Sequence, residues 1–236
     1  MNTTKFRTKL THKTIAIAIT AIMILGTIAL ASTLGQVNAA HDNQDHNRTS
    51  AIAFHDAMRK LWEDHITWTR LVIVSVLNGL PDTSSTVDRL LQNQADIGNA
   101  IKPFYGDTAG NQLTSLLHDH IAIAAEILTD AKAGNTVALN DAIARWYANA
   151  NDIATFLHNA NPKHWSLDMV RSMMKTHLDL TLAEAVAYLK GDYDGSVKSY
   201  EQVHLEILGM SDTLSSGIIA QFPRSFTHDF VTAEEN

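Results

Sequence analysis

Three histidines in this chain are each followed, fourteen positions later, by a glycine. The three pairs are His65 with Gly79, His120 with Gly134, and His177 with Gly191. Glycine is favoured just past a helix C-terminus, because it adopts the left-handed backbone conformation there without steric cost. The recurring spacing therefore predicts three copies of one supersecondary unit, each opening with a helix that carries a histidine.

The segments that follow these helices also resemble one another. The stretches "LLQNQADIGNAI" (90–101) and "WYANANDIATFL" (146–157) share three positions: Asn93/Asn149, Asp96/Asp152 and Ile97/Ile153. A third stretch, "YEQVHLEILGMS" (200–211), keeps Glu206-Ile207 and adds His204. A lone αα-hairpin cannot bury its apolar stripe, so the copies must pack together. We therefore predict an all-α fold, an antiparallel helical bundle built from three αα-hairpin repeats.

Proline positions and hydrophobic periodicity divide the chain into helices. The four prolines fall where helices should begin or end, and alternating strand-like runs are missing from the sequence. The sequence predicts six helices, near 51–79, 83–102, 108–133, 135–158, 166–190 and 194–221.

The N-terminal segment has the pattern of an export signal. Four basic residues precede the 17-residue apolar run 15–31, and a small-residue tail ends in "VNAA". We predict a signal peptide or N-terminal membrane anchor at 1–39, a flexible linker at 40–50, the helical bundle at 51–224 and a C-terminal tail at 225–236. The protein is then secreted or extracytoplasmic, and only the N-terminal segment contacts a membrane.

Charge and cysteine content exclude several classes of function. Without residues 1–39 the chain keeps 14 basic and 25 acidic side chains, a net charge of −11. An acidic domain lacks the clustered Lys and Arg that bind nucleic acid, whereas cations are natural partners. No cysteine is present. Disulfides, zinc-thiolate sites and cysteine nucleophiles are therefore excluded.

Histidines occupy the apolar stripe of four predicted helices: His65, His120, His177 and His204. Buried polar rings are costly without partners, and imidazole is the commonest protein ligand for metals. Bundle cores build metal sites from facing helices. We therefore predict that these four histidines bind one transition-metal ion, copper or zinc, with Glu184 and Tyr200 as supporting partners. His118 lies about 200° around the helix from His120, so we expect it to face solvent.

Two other interpretations fit the same pattern. In the first, the protein is a non-enzymatic structural or sensory bundle whose histidines only form hydrogen bonds within the core. In the second, it is a metalloenzyme, which needs an open coordination position; four histidine ligands favour a closed site and hence binding rather than catalysis. Four methionines are either soft copper ligands or core filling: Met169, Met173, Met174 and Met210.

Five segments resemble a family of mostly exported, all-helical bacterial and archaeal proteins without an established activity. They are "LWEDHITWTR", "LLQNQADIGNAIKPFYG", "LLHDHIAIAAEIL", "MMKTHLDLTLAEAVAYLKGDY" and "YEQVHLEILGMSDTLSSGIIAQFP". The resemblance spans residues 51–224 and implies a helical fold. It implies no activity.

Overall fold

The computed structural model describes residues 50–226. Within that range the chain forms five α-helices and a closing 3₁₀ turn: α1 (50–78), α2 (Thr83–Ala133), α3 (Thr136–Ala160), α4 (Leu167–Leu189), α5 (Tyr193–Gln221) and η1 (Pro223–Phe226). No strand occurs in these residues. The prediction of an all-α helical bundle is confirmed. The predicted signal or anchor, nearly all of the linker and most of the tail lie outside the described residues.

Helix α2 consists of two arms, 83–105 and 107–133, that meet at Gly106. This glycine has φ 82° and ψ 168°, values outside the helical region. Twelve residues along a straight helix span about 18 Å. Yet a Cβ placed on Gly98 would lie 2.6 Å from the carbonyl oxygen of Gly110. The arms therefore fold back against each other, and the absence of side chains at both glycines allows this close approach.

The first arm of α2 continues beyond the predicted end at residue 102. Pro103 lies inside the helix, which keeps its helical assignment as far as the break at Gly106. The glycine, which alone adopts a positive φ easily, ends this arm, and not the proline. The predicted boundary was therefore about three residues too early.

The three repeated glycines end their helices in the same way. Their φ angles are 64° at Gly79, 69° at Gly134 and 77° at Gly191. Each glycine N–H donates to the carbonyl three residues back, and the next N–H donates to the carbonyl five residues back. This is the Schellman pattern, which satisfies carbonyls that a helix end leaves unpaired. The prediction that these glycines cap helices is confirmed.

The apolar side chains form two buried clusters. The larger contains aromatic residues from several helices, including Trp62, Trp146 and Trp165, and the smaller is centred on Val72, Ile73 and Leu90. Phe226 also belongs to the larger cluster, where its ring stacks on Phe104 with centroids 5.4 Å apart. The packed region thus extends past residue 224, the predicted boundary, because this aromatic anchor holds the 3₁₀ turn against the core. None of the helices described has the length and apolar character to cross a membrane.

Candidate functional site: a buried histidine cavity

Three of the four predicted histidines line one cavity in the core. His65 comes from α1, His120 from the second arm of α2 and His177 from α4, and each is at most 5% exposed. The cavity has a volume of about 40 Å³. A water-sized occupant needs only about 10–15 Å³ measured in this way. The space therefore admits an ion or one or two small molecules.

The Nδ1 atom of each of these histidines contacts a polar side chain located 29 residues further along the chain. The distances are 3.2 Å from His65 to Gln94 Nε2, 2.8 Å from His120 to Asn149 Oδ1, and 3.1 Å from His177 to Glu206 Oε2. The partners lie on the first arm of α2, on α3 and on α5. All three rings therefore have a polar neighbour at the same offset, with a different partner side chain each time.

In two of the rings, the partner shows that Nδ1 is the hydrogen-bond donor. Asn149 donates from Nδ2 to the Leu116 carbonyl at 3.0 Å, which leaves its Oδ1 to accept from His120. Glu206 presents a carboxylate oxygen to His177, and such an oxygen accepts from an N–H. In the neutral form of each ring, the lone pair is therefore on Nε2, the nitrogen that remains available to the cavity.

His65 has the opposite arrangement. Gln94 presents its amide nitrogen, which also donates to the Leu90 carbonyl at 2.8 Å. The same nitrogen also lies 3.2 Å from Asn93 Oδ1. An amide nitrogen only donates, so in this orientation of Gln94 Nδ1 of His65 is the acceptor and the ring proton is on Nε2. Gln94 Oε1 is buried and has no hydrogen-bond partner among the described residues. Rotating this amide by half a turn would give His65 the same donor arrangement as the other two histidines.

The backbone carbonyls of the three histidines are also occupied. Thr69 Oγ1 donates to the His65 carbonyl and Thr181 Oγ1 to the His177 carbonyl, each at 2.8 Å. Trp146 Nε1 donates to the His120 carbonyl at 3.1 Å, and the Trp146 ring stacks on the imidazole with centroids 5.0 Å apart. These contacts pair all three backbone carbonyls, and at His120 the stacked Trp146 also packs against the ring itself.

Burial keeps two of the imidazoles neutral. Desolvation, followed by the proximity of His177, lowers the pKa of His120 to about 3. Desolvation, followed by His177 and His120, lowers the pKa of His65 well below its usual value. Because only the neutral imidazole has a lone pair to offer a metal, His65 and His120 are in the protonation state that ligation requires at neutral pH.

The distance between two of the histidine rings is close to that of imidazoles bound to one metal ion. The three rings together do not have that arrangement. The centroids of His65 and His177 lie 5.7 Å apart. Two imidazoles on one tetrahedral ion, each at about 2.0 Å, have centroids about 5 Å apart. Across residues 50–226, however, no three His, Cys, Asp or Glu side chains are already arranged to hold a metal ion.

The fourth predicted ligand, His204, lies elsewhere. Its Nε2 is 3.0 Å from Glu63 Oε1, its side chain is 38% exposed, and it does not line the cavity. Residues two apart on a helix point about 200° away from each other. Because Glu206 faces His177, His204 on the same helix must face outward. The structure therefore brings together three of the four predicted ligands.

The predicted supporting residues have partners other than the histidines. Glu184 is buried, and its Oε1 accepts from Arg70 Nη1 at 2.8 Å. Burial raises the pKa of Glu184, while Arg70 and His177 act in the opposite direction. The Tyr200 hydroxyl is 3.5 Å from Thr67 Oγ1, and the Arg70 guanidinium lies 5.7 Å from the Tyr200 ring centroid. Arg70 thus contacts both Glu184 and Tyr200, and neither of these residues lines the cavity. Glu184 interacts with His177 electrostatically.

Sequence reasoning missed two of the Nδ1 partners. The repeat matches Asn93 with Asn149, and both donate to the carbonyl four residues before their histidine, so nothing in the alignment pointed to Gln94. Glu206 was noticed only as part of the repeat. The common 29-residue offset from each histidine is the signal that identifies both.

Fold and site together define a class of protein: an all-α helical bundle with a histidine-lined cavity in its core. No protein-family model, curated protein or solved structure matches the chain. The resemblance to a family of exported helical proteins therefore remains a prediction.

Proposed function

We propose that this protein binds a transition-metal ion, copper or zinc, in its core cavity through Nε2 of His65, His120 and His177. The observation that carries the proposal is the threefold Nδ1 anchoring, in which each buried ring is oriented by a polar side chain 29 residues away. Histidines that bind metals typically use their second nitrogen in this way, which fixes the ring and its tautomer.

The donor set favours particular metals. Three neutral imidazoles without thiolate suit Cu(II), Zn(II) or Ni(II) better than calcium or magnesium, and copper has the highest affinity for such ligands. Bringing His65 and His177 to tetrahedral spacing requires them to approach by less than about 1 Å. The Gln94 amide must also rotate, so that His65 can release its Nε2 proton and donate from Nδ1 instead.

Three ligands leave a coordination position open. The sequence predicted a closed site of four histidines, but His204 is paired with Glu63. A three-histidine site accepts water or a small molecule as its fourth ligand, and the cavity of about 40 Å³ provides the space. We propose binding of the metal as the function, and the open position is where any chemistry would occur.

We also propose that the bundle is antiparallel and consists of three αα-hairpin repeats. The three identical Schellman turns and the common 29-residue offset support this arrangement. In this scheme α1, the second arm of α2 and α4 are equivalent helices. The export pattern of residues 1–39 further suggests that the bundle acts outside the cytoplasm.

A structural bundle is the second candidate. It is favoured by the finding that, in residues 50–226, the rings do not already converge on a point where an ion would be held. In that case the three histidines serve only as hydrogen-bonded core residues, each satisfied at Nδ1.

Thermal melts with added metal separate the two candidates. A ligand that binds only the folded state stabilises it by about 2.7 kcal/mol at a hundredfold excess over Kd. We expect Cu(II) or Zn(II) to raise the Tm of the chelator-treated wild type. His120→Asn should abolish the shift, and His65→Asn with His120→Asn should lose no more than either change alone, because the ligands act as one unit.

His118→Ala provides the matched control, since His118 lies two residues from His120 but is exposed. It should leave the metal-induced shift unchanged. The absence of a shift in the wild type with Cu(II), Zn(II) and Ni(II), together with additive losses of stability in the variants, would support the structural bundle instead.

A further inference from the structure

Three methionines gather along one open groove between α4 and α5. The described residues contain five methionines, and Met169, Met173 and Met210 line this groove, which has a volume of about 400 Å³. Met58 and Met174 line a small apolar cavity inside the core, and Met210 lines this cavity as well as the groove. The sequence alone could not separate core filling from soft ligands, whereas in the fold Met169 and Met173 line the groove, Met58 and Met174 line the core cavity, and Met210 lies between the two.

The thioethers are arranged on both walls of the groove. Met169 and Met173 are four residues apart on α4 and therefore share a face, and both are half-buried. Met210 is buried on the α5 wall. The neighbouring Gly209 leaves this wall open, since a Cβ added there would meet no atom within 4 Å. Met169 and Met173 are thus partly open to solvent, whereas Met210 closes the bottom of the groove against the core.

A carboxylate accompanies the sulfurs. Glu206 also lines the groove, and its side chain is 13% exposed. Its Oε2 is the partner of His177 Nδ1 at 3.1 Å. The groove therefore combines neutral, polarisable sulfur ligands with one negative charge, and that charge is connected to a ring of the core cavity.

We propose that this groove is a binding site for a soft monovalent cation, Cu(I), held by the thioethers of Met169, Met173 and Met210. Thioethers select Cu(I) over the harder divalent ions, and the Glu206 carboxylate balances the charge. Zinc, magnesium and calcium have no comparable preference for sulfur of this type. The site does not depend on metal binding by the histidines; if both sites exist, Glu206 links them and copper is the metal they share.

The test uses Ag(I) as a redox-inert probe for Cu(I), added to the full chain labelled with ¹³C at the methionine methyl groups. We expect saturable shifts of the Met169, Met173 and Met210 methyl resonances, with Met58 and Met174 unchanged. Single Met→Leu variants assign the signals. Leucine conserves the volume well enough for the variants to fold.

Matched variants then measure affinity. Met173→Leu should weaken Ag(I) binding at least tenfold, while Met174→Leu, one position away but outside the lining of this groove, should leave it unchanged. Non-saturable binding, equal shifts at all methionines, or equal effects of the two variants would overturn the proposal. His120→Asn should not alter Ag(I) binding at the groove, so failure of the histidine site and failure of the groove are distinguishable.

Discussion

At the scale of single residues, three histidines face three chemically different partners. Asn149 and Glu206 present oxygen to Nδ1, and Gln94 presents nitrogen. Because the partner decides which ring nitrogen carries the proton, neutral His120 should be the Nδ1–H tautomer and His65 the Nε2–H tautomer. Two-bond ¹H–¹⁵N correlation spectra of the metal-free protein at pH 7.5 report this directly. Identical tautomers at the two positions would contradict the assigned orientation of Gln94.

Asn149 supports two buried groups at once. It accepts from His120 and donates to the Leu116 carbonyl. Replacing Asn149 with Leu leaves the His120 Nδ1–H and the Leu116 carbonyl without a partner. Each unpaired buried group costs about 1–3 kcal/mol, and burial of the apolar leucine side chain offsets part of this cost. We expect Asn149→Leu to lower the free energy of unfolding by about 2–4 kcal/mol in urea denaturation.

Asn151→Leu is the control for that change. Asn151 lies two residues along the same helix, is exposed, and donates only to the Tyr147 carbonyl. Its replacement should change the stability by less than about 0.5 kcal/mol. Equal losses in the two variants would mean that the His120 contact adds nothing specific.

At the scale of elements, the fold depends on the two arms of α2 crossing at Gly98 and Gly110. A Cβ on Gly98 would overlap Thr114 Oγ1 and lie 2.6 Å from the Gly110 carbonyl oxygen. Since a backbone atom cannot move aside as a flexible side chain can, the arms must separate. We expect Gly98→Ala to destabilise the protein by about 1–3 kcal/mol in chemical denaturation.

Gly209 provides the opposite case. It lies within α5, is exposed, and a Cβ there would meet nothing within 4 Å. Alanine is favoured over glycine in a helix by about 1 kcal/mol. Gly209→Ala should therefore stabilise the protein slightly, measured in parallel with Gly98→Ala. If both substitutions stabilise, the close crossing of the arms does not hold in solution.

At the scale of the whole molecule, the buried histidines link stability to pH. The pKa values of His65 and His120 are lowered on folding, by burial first and then by the neighbouring histidines. The unfolded chain therefore binds protons more readily below its histidine pKa of about 6.5. Stability is complete above that pH and falls as the pH decreases toward about 3, the folded value for His120.

The expected slope is about 1.4 kcal/mol per pH unit for each of the two histidines. Urea denaturation of the chelator-treated protein between pH 7.5 and 4.5 measures it. Glu184 acts in the opposite direction, because burial raises the pKa of its carboxyl group. The His120→Asn variant lacks the contribution of His120 and should show a shallower slope. The His118→Ala variant should match the wild type. A wild type whose stability does not change over this range would contradict the burial of neutral rings.

Local periodicity alone determined much of this protein. The helical periodicity, the left-handed glycines at 79, 134 and 191, and the placement of His65 and His120 inward with His118 outward all depend on interactions within a few residues. Such interactions are encoded in neighbouring positions of the chain, so their pattern is readable without the fold.

Tertiary packing decided the rest. The rotation of α5 about its own axis directs Glu206 to His177 and His204 to Glu63, and the fold-back of α2 at Gly106 brings Gly98 to Gly110. Packing likewise brings Gln94 to Nδ1 of His65. The apolar stripe of a helix defines its inward face only to within about 100°, whereas a hydrogen bond requires an orientation much narrower than that. Only the contacts among all the helices together fix each helix to that precision.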